Sequence, residues 1–384
     1  MSNTVTIVGS AIGAFAFLAM VIGIIWFCKS KNKKFSNRNS DTGSSDPSAR
    51  EWNRGASGPS SAAGLSLFGT HGGKFTMEEL DQATKQFNES NLIGHGSFGS
   101  VYKGLLRDTV IAIKRRQGSP QQQFVAEVTY LSEIRHRNLV SLLGYCQESE
   151  SQMLVCEYLP NGSMCNHLYD SSRIDQSSTR LEFKQRLSIA LGAAKGLCHL
   201  HGLKPPLLHK NFKTANVLVD ENFIAKVADA GVSKLLEMME EEGPSCKSNV
   251  TVFQDPEAKA SGNFTEMSDV YSFGVFLLEL ITGKEAIHID SLGSNESLRQ
   301  WVRSRLSLNN FVDHRLVGSF TMEGIRDLIK LTLQCMSFPA KCRPKMDKVV
   351  LELQQIHEKE MALTTVMGEG TATITLGSEL FASK

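Results

Sequence analysis

The chain has almost no net charge and no closely spaced cysteine pairs, and each absence excludes a class of protein. Its 41 lysines and arginines and 40 aspartates and glutamates leave a formal net charge of +1. This even balance argues against general nucleic-acid binding, which needs an excess of basic side chains. The eight cysteines form no C-x-x-C pair and no metal-binding spacing, so we interpret them as thiols in a reducing compartment.

Charged residues are also absent from the stretch 5–27. A helix of that length, rising about 1.5 Å per residue, reaches roughly 35 Å and can cross a hydrocarbon core of about 30 Å. A cleaved signal peptide is the alternative, but no basic segment precedes the stretch and it is longer than a typical signal core. Basic residues follow it closely from Lys29 to Arg38. This bias predicts a single-pass transmembrane helix in the plasma membrane, with the rest of the chain in the cytosol.

Composition divides the remaining chain. Residues 36–73 are rich in serine, glycine and asparagine, which cannot bury enough apolar area to offset chain entropy. Order is expected from Phe75, because Thr76 and Glu79 form a T-x-x-E capping box ahead of a helical pattern. We predict an extracytosolic N-terminus (1–4), a transmembrane helix (5–27), a disordered juxtamembrane linker (28–74), a folded domain (75–357) and a flexible tail (358–384).

Two features of the membrane segment leave alternatives open. Gly9 and Gly13 form one G-x-x-x-G pattern, which is typical of a helix-dimerisation face and indicates a homodimer. Such a pair also arises by chance in a span rich in glycine and alanine. Cys28 at the membrane edge is either a palmitoylation site or an ordinary interfacial cysteine.

A glycine-rich turn begins the chemistry-bearing part of the chain. Gly94, Gly96 and Gly99 form a G-x-G-x-x-G pattern, which also occurs in dinucleotide-binding folds. Those folds need a helix after the glycines, whereas the segments 100–102 and 110–114 are β-prone. The pattern therefore predicts a strand, a turn and further strands, with the glycine backbone closing over phosphates.

A lysine and a glutamate follow the turn at positions that fit the same chemistry. Lys114 ends the third predicted strand, and Glu127 lies in a predicted helix around Phe124–Val128. We expect the two to form an ion pair that positions the lysine on the α- and β-phosphates of a nucleotide.

With these motifs, the chain resembles the eukaryotic protein kinases, and specifically plant receptor-like kinases of the interleukin-receptor-associated-kinase/Pelle type. The resemblance extends over residues 75–357. It is carried by the ordered phrases Phe75–Leu80 (FTMEEL), His136–Val140 (HRNLV), Leu154–Ser163 (LVCEYLPNGS), Ser268–Gly274 (SDVYSFG) and Arg343–Pro344.

The resemblance implies an α+β, two-lobed protein-kinase fold with a β-rich N-lobe, a helical C-lobe and ATP between them. Helical spacing at Leu187, Leu191, Ala194 and Leu197, and the apolar run 270–280, support a helical C-lobe independently. By the match, Cys156 takes the gatekeeper position, Lys213 contacts the transferred phosphate, and Asn216 and Asp229 bind Mg²⁺. The implied ATP-binding residues are Ile93, Gly94, Gly96, Gly99, Val101, Ala112, Lys114, Glu127, Glu157, Leu159 and Leu218.

Four positions depart from the family pattern. Asn211 stands where the catalytic aspartate belongs in the loop Leu208–Asn216, and a neutral amide accepts no proton near pH 7. Lys210 replaces an arginine, which weakens bidentate docking of a phosphorylated loop. Ala230 replaces the phenylalanine of D-F-G, which predicts a void costing about 3–5 kcal/mol unless neighbours collapse. Asn249-Val250 replaces the usual Gly-Thr before Asp255-Pro256-Glu257.

Three functions remain open at this point. The first is a membrane-anchored pseudokinase that binds ATP and acts as a scaffold or allosteric regulator of other receptor-like kinases or cytosolic signalling proteins. The second is a slow but genuine serine/threonine kinase, in which Asn211 and Lys213 occupy the catalytic positions. The third is a scaffold that binds no nucleotide. The intact glycines, Lys114, Asn216 and Asp229 favour the first over the third.

Overall fold

The computed structural model describes residues 72–169, 181–239, 252–290, 300, 302 and 312–367. The stretch 5–27, the pair Gly9/Gly13, Cys28 and the positions Asn249-Val250 lie outside these residues. Among the helices in the described ranges, none is long and apolar enough to cross a membrane.

A six-stranded sheet forms the N-terminal layer. Its strands are β1 (Gly73–Lys74), β2 (Leu92–His95), β3 (Ser100–Leu106), β4 (Thr109–Gln117), β5 (Leu142–Glu148) and β6 (Ser151–Glu157). They lie in the order β1-β5-β6-β4-β3-β2, and all neighbours are antiparallel except β1 and β5, which are parallel. Gly73 and Lys74 pair with Gly144 and Tyr145 of β5. These two residues therefore belong to the sheet and not to the linker, which was predicted to extend to residue 74.

Two helices pack on this sheet. Helix α1 (Met77–Thr84) begins at the predicted capping box, in which the Glu79 backbone N–H donates to the Thr76 hydroxyl and the Thr76 N–H donates to the Glu79 carboxylate. Helix α2 (Gln122–Glu133) contains Glu127, as the sequence predicted. Alternate residues of β6 face different cores: Met153 and Val155 pack on the α1 side, whereas Leu154 and Cys156 pack on the α2 side.

The C-terminal layer is mostly helical and surrounds α7 (Glu266–Thr282). Almost every residue of α7 is buried, as predicted for the apolar run 270–280. The helices are α3 (Met164–Tyr169), α4 (Phe183–His201), α5 (Val232–Met239), α6 (Pro256–Ser261), α7 (Glu266–Thr282), α8 (Ala286–Asp290), α9 (Met322–Cys335) and α10 (Met346–Met367), with a two-stranded sheet of β7 (Val217–Val219) and β8 (Ala225–Val227).

Helix α10 corrects the predicted domain end. It continues to Met367, so the first part of the segment predicted as a flexible tail from Glu358 is helical. Glu360 is fully buried, and its carboxylate accepts hydrogen bonds from the Thr321 N–H at 2.8 Å and the Thr321 hydroxyl at 2.5 Å. These bonds tie this turn of α10 to the start of α9.

A buried charge cluster joins α4 to the short 3-10 helix His314–Leu316 and its N-cap residue Asp313. The Arg186 guanidinium donates to the Asp313 carboxylate at 2.7 Å, and the Arg315 guanidinium donates to both oxygens of the same carboxylate. Burial raises the pKa of Asp313, but the hydrogen bonds from Arg315 and the charge of Arg186 outweigh it, so the pKa lies below its usual value. Asp313 therefore stabilises the fold in its ionised form.

We expect Asp313→Asn to destabilise the domain by about 3–5 kcal/mol at pH 7, because Arg186 would remain buried without its counter-charge. Since the folded pKa is depressed, this stabilisation is present above the unfolded pKa of about 3.9 and is lost as pH falls through the lower folded value. The variant should therefore lose less stability than the parent below about pH 4. Urea unfolding at neutral and acid pH measures both effects, with the exposed Asp347→Asn as control; an equal loss in both variants would contradict the assignment.

Candidate nucleotide site

One cavity of about 460 Å³ lies between the sheet and the helical layer. It has the size of an ordinary small-molecule site. The structure brings most of the sequence-predicted residues to its wall: Ile93, Gly94, Gly96, Val101, Ala112, Lys114, Glu157, Leu159, Lys213, Asn216, Leu218 and Asp229. Gly99, Glu127 and Asn211 are not among the residues that line it.

The glycine-rich turn joins β2 to β3, as predicted. The Gly96 N–H donates to the Gly99 carbonyl at 2.8 Å and closes the turn. Gly99 has a φ of +144°, and a Cβ there would overlap the Arg115 carbonyl oxygen of β4. The turn therefore needs glycine at this position for both conformation and space.

Phe98, at the tip of this turn, points into the protein. Its side chain is 2% exposed, and its ring stacks on Phe124 of α2 with 6.4 Å between centroids. It belongs to a core that also contains Val232, Leu235 and Met239 of α5. The turn is thus held by the stacking of Phe98 on α2, within a core that also contains residues of α5.

The charge pairing in the cleft differs from the expected one. The Lys114 ammonium contacts the Asp229 carboxylate directly, and both side chains are largely buried. Burial lowers the pKa of Lys114 below its usual value. The predicted Lys114–Glu127 pair is not formed, because Glu127 is paired with Lys234 of α5, at 2.8 and 3.1 Å from its two oxygens.

Helix α5 begins directly after Gly231 and is attached on two sides. Besides the Lys234–Glu127 pair with α2, its Glu237 accepts a hydrogen bond from Lys210 at 2.5 Å. The Ser233 hydroxyl donates to the His209 carbonyl at 3.2 Å. Lys210, which replaces the arginine of the family pattern, is therefore engaged with α5.

The loop around Asn211 is fixed by its backbone. The Asn211 N–H donates to the His209 carbonyl at 2.8 Å, and the Asn216 side-chain amide donates to the Asn211 carbonyl at 2.9 Å. Asp269 of α7 accepts from the N–H groups of His209 and Lys210 at 2.8 and 2.9 Å. Burial lowers the pKa of His209, which faces the Ala228 carbonyl at 2.9 Å. The loop keeps a defined shape without a carboxylate at position 211.

The oxygen donors fit a magnesium ion in type. Asn216 and Asp229 both line the cavity and offer an amide oxygen and a carboxylate, the ligands that Mg²⁺ prefers. One Asp229 oxygen is engaged by Lys114. A cation at this site would therefore compete with Lys114 for the carboxylate.

Ala230 also lines this cavity, together with Leu131 of α2 and Ile134, the residue that follows α2. A Cβ at Gly231 would overlap the Leu131 side chain, so Leu131 packs closely against the chain at Gly231. Ala230 packs against the helical core that contains Leu131.

Comparison with known proteins identifies the class. The family model described as protein tyrosine and serine/threonine kinase matches residues 87–353, and the chain belongs to this family. The predicted resemblance and the two-lobed fold are thereby confirmed.

The relatives are plant receptor-like and cytoplasmic kinases. The chain is 39% identical over 300 residues to the proline-rich receptor-like protein kinase PERK3 of Arabidopsis thaliana, covering 75% of this chain and 58% of PERK3. It is 38% identical over 317 residues to the Arabidopsis probable serine/threonine-protein kinase PBL15, covering 76% and 72%. It spans only 42% of PERK2, a third relative from the same plant.

A solved structure has the same fold. The pseudokinase domain of BIR2, an immune regulator of the RLK/Pelle family, aligns with a TM-score of 0.61 and 33% identity. The alignment covers 74% of this chain and 86% of the BIR2 chain.

Sequence reasoning did not single out Phe98, Lys234 or Glu237. Lys234 and Glu237 lie three residues apart, between the apolar positions 232, 235 and 239. This helical spacing could have indicated a charged helix after Asp229-Ala230-Gly231. Nothing in the sequence indicated that Phe98 turns inward.

We expect Lys234→Met to reduce the local stability of α5. Glu127 is only 7% exposed, and the variant would remove the ammonium group that neutralises its carboxylate. Since Lys234 is itself partly exposed, a loss of about 1–2 kcal/mol is expected. That corresponds to roughly 5–30-fold faster amide hydrogen exchange across α5. Exchange followed by mass spectrometry measures it, with the exposed lysine change Lys330→Met on α9 as control. Unchanged protection of α5 would show that its apolar face alone holds it.

Proposed function

We propose that this chain is a pseudokinase of the plant receptor-like family, which binds ATP and regulates active receptor kinases as a partner platform or allosteric subunit. The observation that carries the proposal is Asn211 at the position of the catalytic base. An aspartate there would accept the proton of the attacking hydroxyl, whereas the amide cannot. Loss of general-base catalysis costs about 10²–10⁴ in rate, or roughly 3–5 kcal/mol of barrier.

The geometry around the cleft supports inactivity independently of Asn211. Phosphoryl transfer by protein kinases requires the lysine–glutamate pair and a free aspartate for the metal at the same time. Here Lys114 is paired with Asp229, and Glu127 is paired with Lys234. The relative BIR2, of known structure, is itself described as a pseudokinase.

Protein kinases use ATP and Mg²⁺, and the residues that would hold them are kept. The glycine-rich turn and Lys114 would bind the phosphates, and Glu157 and Leu159 would present backbone groups to the adenine edge. Asn216 and Asp229 would hold Mg²⁺, which neutralises phosphate charge when bound. A metal bound to Asp229 would compete with Lys114, which engages one oxygen of this carboxylate, so nucleotide binding is linked to rearrangement of the cleft.

The cellular setting is part of the same proposal. The uncharged stretch 5–27, followed by basic residues, would anchor the chain in the plasma membrane with the domain 75–357 in the cytosol. A membrane-bound domain that lacks its base can still bind other receptor-like kinases or cytosolic signalling proteins. Gly9 and Gly13 offer one dimerisation face.

A scaffold that binds no nucleotide is the second candidate, and the structure gives it a specific argument. The Lys114–Asp229 contact engages the two charged groups that would otherwise meet phosphates and metal. A slow genuine kinase is the third candidate, favoured by Lys213 and Asn216 in the cavity wall.

Nucleotide binding is tested by thermal unfolding of the purified chain with Mg²⁺ and ATP. A ligand at 100 times its dissociation constant stabilises the folded state by about 2.7 kcal/mol, which gives a measurable rise in Tm. Lys114→Met should reduce the rise by removing a phosphate contact, and Asp229→Asn should reduce its dependence on Mg²⁺. No rise at millimolar ATP would favour the nucleotide-free scaffold.

Catalysis is tested by radiolabelled phosphate incorporation into a generic basic protein. We expect the wild type to be at least a hundredfold below an active relative, and Asn211→Asp alone to restore activity only in part. Adding Ala230→Phe to Asn211→Asp should raise the activity further. Because the reacting groups must also be aligned, the double variant should gain more than the product of the two single gains. Robust wild-type turnover that is lost in Lys114→Met would establish the slow kinase instead.

A further inference from the structure

Basic side chains lie together where the loop after α2 meets α4. Arg135 and Arg137 of the loop and Lys195 of α4 are exposed, and none of the three forms an ion pair with another described residue. The rings of His136 and His199 join the loop to the helix: they stack with centroids 4.7 Å apart and planes 15° from parallel. We call these five residues the basic face.

The charges of the basic face are close to one another and lack a counter-charge. Burial lowers the pKa of His136 below its usual value. The nearby charges of His199, Arg137 and Lys195 lower it further, so the described charges that act on this ring are all cationic. The Asn138 N–H donates to His136 Nδ1 at 3.2 Å and fixes the ring. An anion on this face would offset the repulsion among these groups.

Acidic residues limit the basic face on two sides. Glu133 is the last residue of α2, just ahead of Arg135. On α10, burial lowers the pKa of His357, and the nearby Glu358 carboxylate opposes this effect. The basic face is therefore small, and so few cations bind an anionic surface only weakly on their own.

The segment that precedes the domain joins it beside the basic face. The Gly72 N–H donates to Ser132 Oγ at 3.0 Å, and the Ser132 hydroxyl donates to the Thr129 carbonyl at 2.7 Å. A Cβ on Gly72 would overlap the Ser132 hydroxyl, so the contact is close. Ser132 and Arg135 are three residues apart in the chain, a separation that spans at most about 11 Å. The chain before Gly72 therefore enters the domain next to the basic face.

We propose that the basic face docks on the anionic headgroups of the membrane in which the stretch 5–27 would anchor the chain. This inference rests on the proposed function, and it adds a defined orientation of the domain to the anchor. The potential of an anionic leaflet decays within about 8 Å at physiological salt, so the cations gain from it only near contact.

The tether makes such weak docking effective, because it raises the local concentration of the domain at the bilayer. An acidic protein would present the same sign of charge as the headgroups. However, the entry of the anchored segment at Gly72 favours a membrane, since it holds this side of the domain near the bilayer.

Lysine acylation of the purified full-length chain, read by mass spectrometry, tests the proposal. The chain is mixed with vesicles of phosphatidylcholine alone or of phosphatidylcholine and phosphatidylserine in equal amounts. Lys195 should react at least about fivefold more slowly on the anionic vesicles, and about 1 M salt should remove this protection by screening. Lys330 on α9 is also exposed and serves as the internal control. Equal reaction of Lys195 on both vesicles would overturn the proposal.

Flotation of the chain with phosphatidylcholine vesicles reports separately on the anchor, which should bind irrespective of salt. Flotation without protection of Lys195 refutes docking and leaves the anchor in place. Protection of Lys195 on anionic vesicles without this flotation supports docking and refutes the anchor. Absence of both refutes both.

Paired variants test whether the basic face itself is responsible. Arg135→Gln with Arg137→Gln should abolish the protection of Lys195 without affecting the fold, because both side chains are exposed. Lys259→Gln with Lys341→Gln is the matched control: it removes two exposed positive charges from α6 and from the 3-10 helix Ala340–Cys342, and it should keep the protection.

Three results would overturn the assignment. Equal loss of protection in both double variants would show that overall charge attracts the vesicles. Protection that survives Arg135→Gln with Arg137→Gln would place the docking surface elsewhere. Protection of Lys195 by soluble polyglutamate, but not by anionic vesicles, would assign the basic face to an acidic protein.

Discussion

The contact between the Lys114 ammonium and the Asp229 carboxylate determines the arrangement of the cleft. A buried charge is costly unless a counter-charge lies against it. Lys114 can neutralise Asp229 or Glu127, and it contacts Asp229. Glu127, which is 7% exposed, then needs another cation, and Lys234 supplies it at 2.8 Å. The position of α5 against α2 thus follows from charge balance in the cleft.

The apolar packing of α5 favours the same position of this helix as its charge pair does. Its residues Val232, Leu235 and Met239 recur at helical spacing and pack with Phe98 and Phe124 in one core. Folding of α5 therefore buries apolar surface and satisfies Glu127 in a single step. The same packing fixes the glycine-rich turn, because Phe98 at its tip is part of this core.

Much of the fold could be predicted from sequence because its signals are local. The capping box at Thr76 marked the start of α1, the apolar run 270–280 marked a buried helix, and alternating β-prone segments around the glycines marked β2 to β4. For the site, the sequence predicted which residues take part but not how their charges pair. Its residues do line one cavity, but the pairing of Lys114 depends on where α5 lies in space, which no local pattern specifies. The domain end was missed for a related reason: Glu360 is a polar residue that is buried only because Thr321, distant in sequence, donates to it.

The structure also changes what the retained nucleotide residues signify. Lys114 and Asp229 satisfy each other's charge, so their presence has a structural role that requires no nucleotide. Gly99 is required by its φ and by the nearby Arg115 carbonyl, which is again a property of the turn itself. Retention of these residues is therefore weaker evidence for ATP than their order in the sequence suggested.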